Sequence, residues 1–373
     1  MATVVDPTGL TTYQNRVERV QTALAGEGLG AMLIGPSADF TYLTGHPAHA
    51  SERLSLFVVP VSGRPFAVVP RFEAVLLSER AAMLDIHPWH ETEDPIAMAA
   101  DLIGGRAGEA GIAVGQQLWA TFVIGLQAAL PERKWLDATP LLRPLRMVKD
   151  EREVGLLREA GRRTDEAWHA FIGEPIAGQT EREALARLTS LTEAQGLHVS
   201  WGICASGPNS ASPHHHTGDR MIAEGDAVVF DWGGTLEGYN SDVTRTIHVG
   251  EPDGDFRRVY DIVRRANQAA LDAVRPGVSC ESLDRAARDL IASEGYGDAF
   301  LHRVGHGLGL DVHEEPYLVA GNDLPLEEGM VFSDEPGIYL DGQFGVRIED
   351  AVVCTASGGE RLNEATRDLV VLT

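Results

Sequence analysis

The sequence predicts an α/β domain followed by an α+β domain in which one structural unit occurs twice. Residues 11–145 alternate between helical and strand-like segments, which is the pattern of an α/β domain. After a proline-containing boundary, the chain runs twice through two helices and an acidic, strand-like hairpin. We therefore expect domains at 1–145 and 146–373.

The first domain opens with a predicted helix over residues 13–24, because Val17, Val20 and Leu24 recur at helical spacing. The short apolar runs that follow are typical of buried strands. They are AMLIG (31–35), LSLFVVP (54–60), PFAVVP (65–70) and GIAVG (111–115). The second and third flank the turn residues 62–64, which predicts a hairpin.

The boundary between the domains is expected within TPLLRPLRMVKDEREV, residues 139–154. Pro140 and Pro144 are expected to interrupt regular structure there. Asp150 has Glu153 three residues later, the spacing of a capping box that begins a helix. Residues 180–183 show the same spacing, so two helices are predicted at about 150–172 and 180–195.

The repeat becomes visible when EGDAVVFDWGG (224–234) is laid over EGMVFSDEPGI (328–338), each preceded by two predicted helices. The helices of the second copy are predicted at about 256–275 and 281–294. The alignment places Asp231 on Glu335, and a hairpin returns through Asp242 in one copy and Glu349 in the other. The second return contains Asp341-Gly342, a turn dipeptide.

Composition and charge exclude several classes of protein. A net charge of −24 argues against nucleic acid or anionic membranes as partners, and no apolar run is long enough to span a bilayer. The chain has three cysteines, Cys204, Cys280 and Cys354, which are far apart in the sequence. Their odd number and wide spacing indicate reduced thiols rather than a disulfide framework. Residues 1–10 lack a basic start and an apolar stretch, so we expect no secretion signal and a cytoplasmic protein.

The paired acidic strands predict a metal centre. Asp231, Asp242 and Glu335 lie beside apolar runs, and buried carboxylates are costly unless a cation neutralises them. Glu349 is favoured over its neighbour as the fourth carboxylate because it shares a strand face with Arg347. His306, set among glycines, adds one nitrogen. Mostly oxygen ligands suit ions such as Mn²⁺ better than a structural zinc, with Co²⁺ or Zn²⁺ as alternatives.

The five predicted ligands and their surroundings resemble the pita-bread metallopeptidases, which include methionine aminopeptidase, aminopeptidase P and prolidase, together with the metal-free creatinase. YNSDVTRT (239–246), GHGLGLDVHEEP (305–316), EPGIY (335–339) and GVRIED (345–350) are similar to the aminopeptidase P and prolidase branch. ADFTYLTG (38–45) is similar to that branch's creatinase-like N-terminal domain, so the resemblance covers nearly the whole chain.

The resemblance implies two divalent metal ions and hydrolysis of the bond between an N-terminal residue and proline in short peptides. It implies that Glu335 exchanges a proton as well as binding metal, and that His214 and His313 donate hydrogen bonds to the substrate. Arg347 would hold a carboxylate or fix the acidic cluster. It also implies a homodimer in which residues 1–145 of one subunit approach the other subunit's cleft.

Other polar and aromatic residues near the motifs receive plainer interpretations. His302 is expected to make structural hydrogen bonds, and His215 and His216 to face away from the site. Trp201 and Tyr339 are expected to pack rather than take part in chemistry.

Three alternatives stay open at this point. The chain could be an aminopeptidase that cleaves longer peptides or a dipeptidase that requires a free proline carboxylate. It could also hydrolyse another small C–N substrate, as creatinase does. Finally, it could be an inactive binding protein, although such proteins typically lose ligands that this sequence keeps.

Overall fold

The computed structural model describes residues 10–372, and the chain divides into two compact units, Met1–Arg146 and Met147–Thr373. Most of the segment 1–10, to which the expectation about a secretion signal applies, lies outside the described residues. Between residues 10 and 372, no helix combines the length and the apolar character that a membrane span requires.

The first unit is built on a six-stranded mixed sheet with the strand order β4-β3-β2-β1-β5-β6. Its strands are β1 (Leu29–Ile34), β2 (Leu56–Pro60), β3 (Phe66–Pro70), β4 (Asp85–Trp89), β5 (Gly111–Val114) and β6 (Trp135–Asp137). Its helices are α1 (Leu10–Gly26), α2 (Ala38–Thr44), α3 (Arg71–Ala74), α4 (Pro95–Arg106), α5 (Ala120–Ala129) and α6 (Thr139–Met147). This arrangement confirms the predicted α/β architecture.

The sequence patterns of the first unit correspond closely to its elements. Val17, Val20 and Leu24 are the apolar residues that α1 buries, as the helical spacing predicts. Every residue of β1, β2 and β3 is buried, and β2 pairs antiparallel with β3 as the predicted hairpin.

The prediction that both prolines interrupt regular structure is wrong, because Thr139–Met147 forms a helix with Pro144 inside it. Pro140 lies in the first turn, where the backbone N–H has no intrahelical partner in any case. Pro144 lies one turn further along the helix and is exposed. Because it has no backbone N–H, the helix lacks one intrahelical hydrogen bond there. The helix tolerates this loss while it buries Leu142.

The second unit contains two larger sheets and two small hairpins. Its helices are α7 (Glu151–Phe171), α8 (Glu181–Ala194), α9 (Gly254–Ala273) and α10 (Cys280–Ser293). The first half carries β7 (Gly202–Ser206), β8 (Ala227–Trp232), β9 (Thr235–Leu236), β10 (Tyr239–Asn240) and β11 (Val243–Val249). The second half carries β12 (Gly305–Gly307), β13 (Glu314–Leu318), β14 (Val331–Asp334), β15 (Gly337–Leu340), β16 (Phe344–Arg347), β17 (Asp350–Thr355), β18 (Gly358–Arg361) and β19 (Val370–Leu372).

The two halves of the second unit share one plan, which confirms the predicted repeat. In the first half, β8 pairs antiparallel with β11, and the small hairpin β9–β10 is inserted between them. In the second half, β14 pairs antiparallel with β17, and the hairpin β15–β16 occupies the equivalent position. Gly342 has φ +69° and makes the predicted turn of that second hairpin.

Each half has its own core between its two helices and its sheet. Trp168, Phe171 and Leu188 pack α7 and α8 against Phe230 on β8. The second core likewise packs α9 and α10 against β14 and β17. Both predicted capping boxes are present, at Asp150–Glu153 and at Thr180–Glu183, and both helices begin where they were expected. The three cysteines are buried and unpaired.

Candidate metal centre

The first pair of carboxylates lies at one end of the β8–β11 pairing. Trp232 is paired with Val243 at the end of the ladder, so Asp231 precedes this pair on β8 and Asp242 lies immediately before β11. Phe230 and Trp232 are buried in the core of the first half. Because side chains alternate along a strand, Asp231 faces away from that core.

The second pair occupies the equivalent end of the β14–β17 pairing. Asp334 is paired with Asp350, and Glu335 and Glu349 are the residues next to this pair. His306 lies in the middle of β12, which pairs with β14. The repeated hairpin therefore supplies the same kind of carboxylate position twice.

A seam, formed by residues 244–246 and 347–349, joins the two halves. Thr244 and Glu349 make an antiparallel bridge, and the Thr244 hydroxyl donates to Glu349 Oε2 at 2.5 Å. The Thr246 hydroxyl donates to the Arg347 carbonyl at 2.8 Å, and Arg245 Nη1 donates to the Glu349 carbonyl at 2.6 Å. The seam fixes the position of each half's carboxylates relative to those of the other half.

All eight side chains predicted for the site line one cavity of about 710 Å³ in the second unit. They are Asp231, Asp242, His306, Glu335, Glu349, His214, His313 and Arg347. Its wall is completed by Trp201, Ile203, Pro213, His302, Arg303, Val312 and Val319. The geometry brings the candidates together, and the role of each one stays a prediction.

Within the cavity, the donor atoms lie close enough to share a cation. Asp242, His306 and Glu349 each offer an atom within 4.8 Å of the others and could hold a metal ion. His306 Nε2 is 3.2 Å from Glu335 Oε1 and 3.7 Å from Asp242 Oδ2. Carboxylate oxygens with one imidazole nitrogen form a suitable ligand set for Mn²⁺ and similar ions.

The electrostatics of the carboxylates also fit a bound cation. Burial raises the pKa of Asp231, Asp242 and Glu349, and each carboxylate's negative neighbours raise it further. Asp231 Oδ1 is buried without a hydrogen-bond partner among the described residues. A divalent ion would satisfy that oxygen and favour the ionised form of all three groups.

Glu335 differs from the other carboxylates. Burial opposes its ionisation, but the hydrogen bond and the charge of His306 overcome this and lower the pKa of Glu335 to about 2. The Ser333 hydroxyl donates to Glu335 Oε1 at 3.2 Å. Glu335 is therefore held in the ionised form by its own neighbours.

Arg347 makes an ion pair and hydrogen bonds with residues of the cavity wall and its surroundings. Its side chain is 3% exposed, and its Nη2 donates to Asp231 Oδ2 at 2.6 Å. Its Nε donates to Thr244 Oγ1 at 3.1 Å, and its Nη1 donates to Tyr339 Oη at 2.9 Å. These contacts correspond to the expectation that Arg347 fixes the acidic cluster.

The two histidines expected to contact substrate lie on the cavity wall. The ring of His313 is 4.1 Å from the ring of His306, in an edge-on arrangement. Burial, together with the neighbouring charge of His306, lowers the pKa of His313 to about 4, so the imidazole is neutral near pH 7. His214 is exposed towards the cavity.

Tyr339, which was expected to pack rather than take part in chemistry, is buried and also makes polar contacts. Its hydroxyl contacts both Arg347 and His302, and the His302 Nε2 lies 2.8 Å away. His302 also has its Nδ1 2.7 Å from the Arg303 carbonyl oxygen, so it is a structural hydrogen bonder as expected. Trp201 lies on the cavity wall rather than in a core.

Two residues of the site region were not singled out from the sequence. Glu181 is fully buried and binds the segment that carries His214, including the side chain of the neighbouring His215 at 2.9 Å. Arg303 lines the cavity three residues before His306. No local motif identifies either residue, because their roles depend on chain segments that meet only in the folded protein.

Two family models match this chain. The model of the family described as Metallopeptidase family M24 matches residues 155–356. The model described as Creatinase/Prolidase N-terminal domain matches residues 16–148. The first match contains every predicted metal ligand.

Individual proteins align along nearly the whole chain. The probable dipeptidase PepE of Mycobacterium tuberculosis is 43% identical over 366 residues, which cover 96% of each chain. The Xaa-Pro dipeptidase of Lactobacillus delbrueckii subsp. lactis is 33% identical over 368 residues, covering 95% of this chain and 98% of that protein.

A solved structure confirms the fold class. The prolidase from Thermococcus sibiricus matches with a TM-score of 0.93 and 36% identity, covering 96% of this chain and 99% of the other. The second unit thus has the pita-bread fold that the family resemblance implies, preceded by a creatinase-like domain. Because both domains are matched in order and the relatives align almost from end to end, the chain belongs to metallopeptidase family M24.

Proposed function

We propose that this protein is an Xaa-Pro dipeptidase that uses two divalent metal ions, with Mn²⁺ as the preferred metal. The observation that carries the proposal is the convergence of four carboxylates and one histidine on a single cavity of about 710 Å³. A cavity of this size holds a small substrate such as a dipeptide. The names of the relatives, dipeptidase and Xaa-Pro dipeptidase, support the choice of substrate.

The residues proposed to hold the metal ions are Asp231, Asp242, His306, Glu335 and Glu349. When bound, divalent ions supply Lewis acidity and lower the pKa of water. The seam keeps the carboxylates of the two halves in register with each other, and Arg347 orients Asp231 through its 2.6 Å ion pair. Preorganisation of this kind reduces the reorganisation that the reaction requires.

The chain's own residues then carry the proton transfers. Glu335 accepts a proton from the attacking water as the water oxygen adds to the carbonyl carbon before proline. It returns that proton to the proline nitrogen as the C–N bond breaks, which releases the free amino acid and proline. His313, neutral near pH 7, and His214 donate hydrogen bonds to the oxygen on which negative charge develops.

The proposal is tested by the rates of Ala-Pro and Ala-Pro-Ala cleavage with Mn²⁺ supplied. A dipeptidase cleaves the first substrate and leaves the second largely intact. Preference for the tripeptide would identify an aminopeptidase instead. Cleavage of neither, with full metal content, would favour a different C–N substrate or a binding protein.

The ligand assignment needs its own measurement. Asp242→Asn is expected to lose bound metal and at least about 100-fold in kcat, because it removes an anionic ligand from a buried site. Asp255→Asn, an exposed change in the first turn of α9, serves as the matched control. Wild-type metal content and rate in Asp242→Asn would overturn the assignment.

We further propose a homodimer in which residues 1–145 of one subunit approach the cleft of the other. A two-fold pair is the commonest closed assembly of soluble proteins, and such closure would favour short peptides. Light scattering at micromolar concentration tests the assembly. A monomeric mass with full activity on dilution would remove the dimer from the proposal.

A further inference from the structure

Among residues 10–372, Arg347 and Arg303 are the arginines on the cavity wall, and of these two only Arg347 is paired with an acidic partner within that range. The Arg303 side chain makes no hydrogen bond and no ion pair with any of residues 10–372. Its contact is a stacking one, with the guanidinium carbon 4.2 Å from the centre of the Tyr317 ring. A half-buried cation without an anionic partner is thus directed at the space where substrate binds.

The backbone holds Arg303 in this position. Val304 is fully buried, and its N–H is directed at Asp284 Oδ1 and the Leu318 carbonyl at 3.0 and 3.2 Å. Arg303 lines the cavity, while its neighbour Val304 belongs to the hydrophobic core of the second half. Tyr317 comes from β13, where it is paired with His306, so the stack lies beside the proposed metal ligands.

The chemistry of the cavity favours a carboxylate as the partner of Arg303. Its guanidinium presents a planar fork of N–H donors that matches a carboxylate, and stacking on Tyr317 limits the orientations it can take. Partial burial strengthens such a pair relative to one in bulk water. The cavity's own carboxylates are proposed to bind metal, which leaves a substrate carboxylate as the available anion.

We propose that Arg303, stacked on Tyr317, binds a carboxylate of the substrate and so determines which Xaa-Pro dipeptides are cleaved. This inference rests on the proposed function. An Xaa-Pro dipeptide has two possible sources of that carboxylate: the C-terminus of its proline, or the side chain of an N-terminal aspartate or glutamate. The chemistry at Arg303 is the same for both sources.

Four substrates separate the two sources. Wild-type protein, Arg303→Met and Arg303→Lys are assayed with Mn²⁺ on Ala-Pro, Ala-Pro-amide, Glu-Pro and Gln-Pro. Arg258→Met, at an exposed position near the start of helix α9, is the matched control and should behave as wild type. Metal content and melting temperature are measured for every variant.

If Arg303 binds the C-terminal carboxylate, Arg303→Met lowers kcat/KM for Ala-Pro by roughly 10- to 100-fold and leaves Ala-Pro-amide within about twofold. If Arg303 binds the side-chain carboxylate of the N-terminal residue, the wild-type protein cleaves Glu-Pro faster than Gln-Pro. In Arg303→Met, the ratio of the two kcat/KM values should then fall by roughly 10- to 100-fold. Arg303→Lys keeps the charge without the fork and should fall between wild type and Arg303→Met. It also serves as the test if the methionine variant does not fold.

An equal loss on all four substrates, or no loss on any, overturns the role of Arg303. The proposed function itself would be contradicted by a different result: wild-type protein with full metal content that cleaves none of the four substrates. The two failures are therefore distinguishable within one set of assays.

Discussion

Changing Glu181 to glutamine is expected to destabilise the segment 206–218, which carries His214. Glu181 begins helix α8 and is completely buried. Its Oε1 accepts hydrogen bonds from Ser206 N–H at 2.8 Å, Ser206 Oγ at 2.8 Å and Asn209 Nδ2 at 2.9 Å. Its Oε2 accepts from Gly218 N–H at 3.1 Å and lies 2.9 Å from His215 Nε2.

The size of the effect follows from which of these bonds glutamine can keep. The amide oxygen can replace Oε1, but the amide NH₂ cannot accept from the Gly218 N–H. Loss of the carboxylate charge also weakens the remaining bonds, and each bond to a charged group contributes about 1.5–3 kcal/mol. We expect a loss of about 2–4 kcal/mol in the free energy of unfolding. For a unit of this size, that corresponds to a fall in Tm of roughly 4–16 °C.

Thermal unfolding of the metal-loaded protein, followed by circular dichroism, measures the change. Glu193→Gln is the control, since Glu193 is exposed on the same helix, and it should shift stability by less than about 0.5 kcal/mol. Metal content should stay the same while kcat for Ala-Pro falls, because the segment that positions His214 is loosened. A Tm for Glu181→Gln equal to that of Glu193→Gln would refute the reasoning.

Three further predictions concern pH, substrate contact and metal. Burial alone would raise the pKa of Glu181, but hydrogen bonds from Asn209, Ser206 and His215 hold it below its usual 4.5. The ionised Glu181 therefore contributes stability above pH 4.5, and this contribution is lost as the pH falls through the lower pKa of the folded state. The difference in Tm between wild type and Glu181→Gln should consequently become smaller at acidic pH. His313→Ala should keep its metal by elemental analysis but lose about 100- to 1,000-fold in kcat, and outright loss of metal would contradict its role. Removing metal with EDTA should lower the Tm, and Mn²⁺ at about 100 times its Kd should restore about 2.7 kcal/mol of stability, whereas an unchanged Tm would argue against a cation among these carboxylates.

The parts of the fold that local chemistry determines could be predicted from the sequence. The capping boxes at Asp150 and Thr180 give two helix starts, because side chain and backbone partners lie within one turn. The choice of Glu349 over Asp350 follows from strand alternation. In the folded chain Glu349 lines the cavity, while Asp350 pairs with the buried Arg245 at 2.7 Å.

The parts that depend on long-range contacts could not be predicted. Pro144 is accommodated in a helix because the loss of one hydrogen bond is small beside the burial of neighbouring apolar side chains. Tyr339 has the pattern of a strand residue, and only the fold brings its hydroxyl to Arg347 and His302. Within residues 10–372, the lack of an acidic partner for the Arg303 side chain is likewise a property of the folded cavity, since its sequence neighbours do not indicate it.

The seam constrains how this architecture can change during evolution. Each half contributes two of the four carboxylates, and Thr244 and Glu349 bridge the halves directly. A one-residue insertion in β11 or β17 would turn the following side chains to the opposite face and move one half's carboxylates against the other's. Insertions that lengthen the small hairpins β9–β10 or β15–β16 leave the paired strands in register. Related proteins can therefore differ in the length of those hairpins, whereas a change along the seam in one half requires a compensating change in the other half.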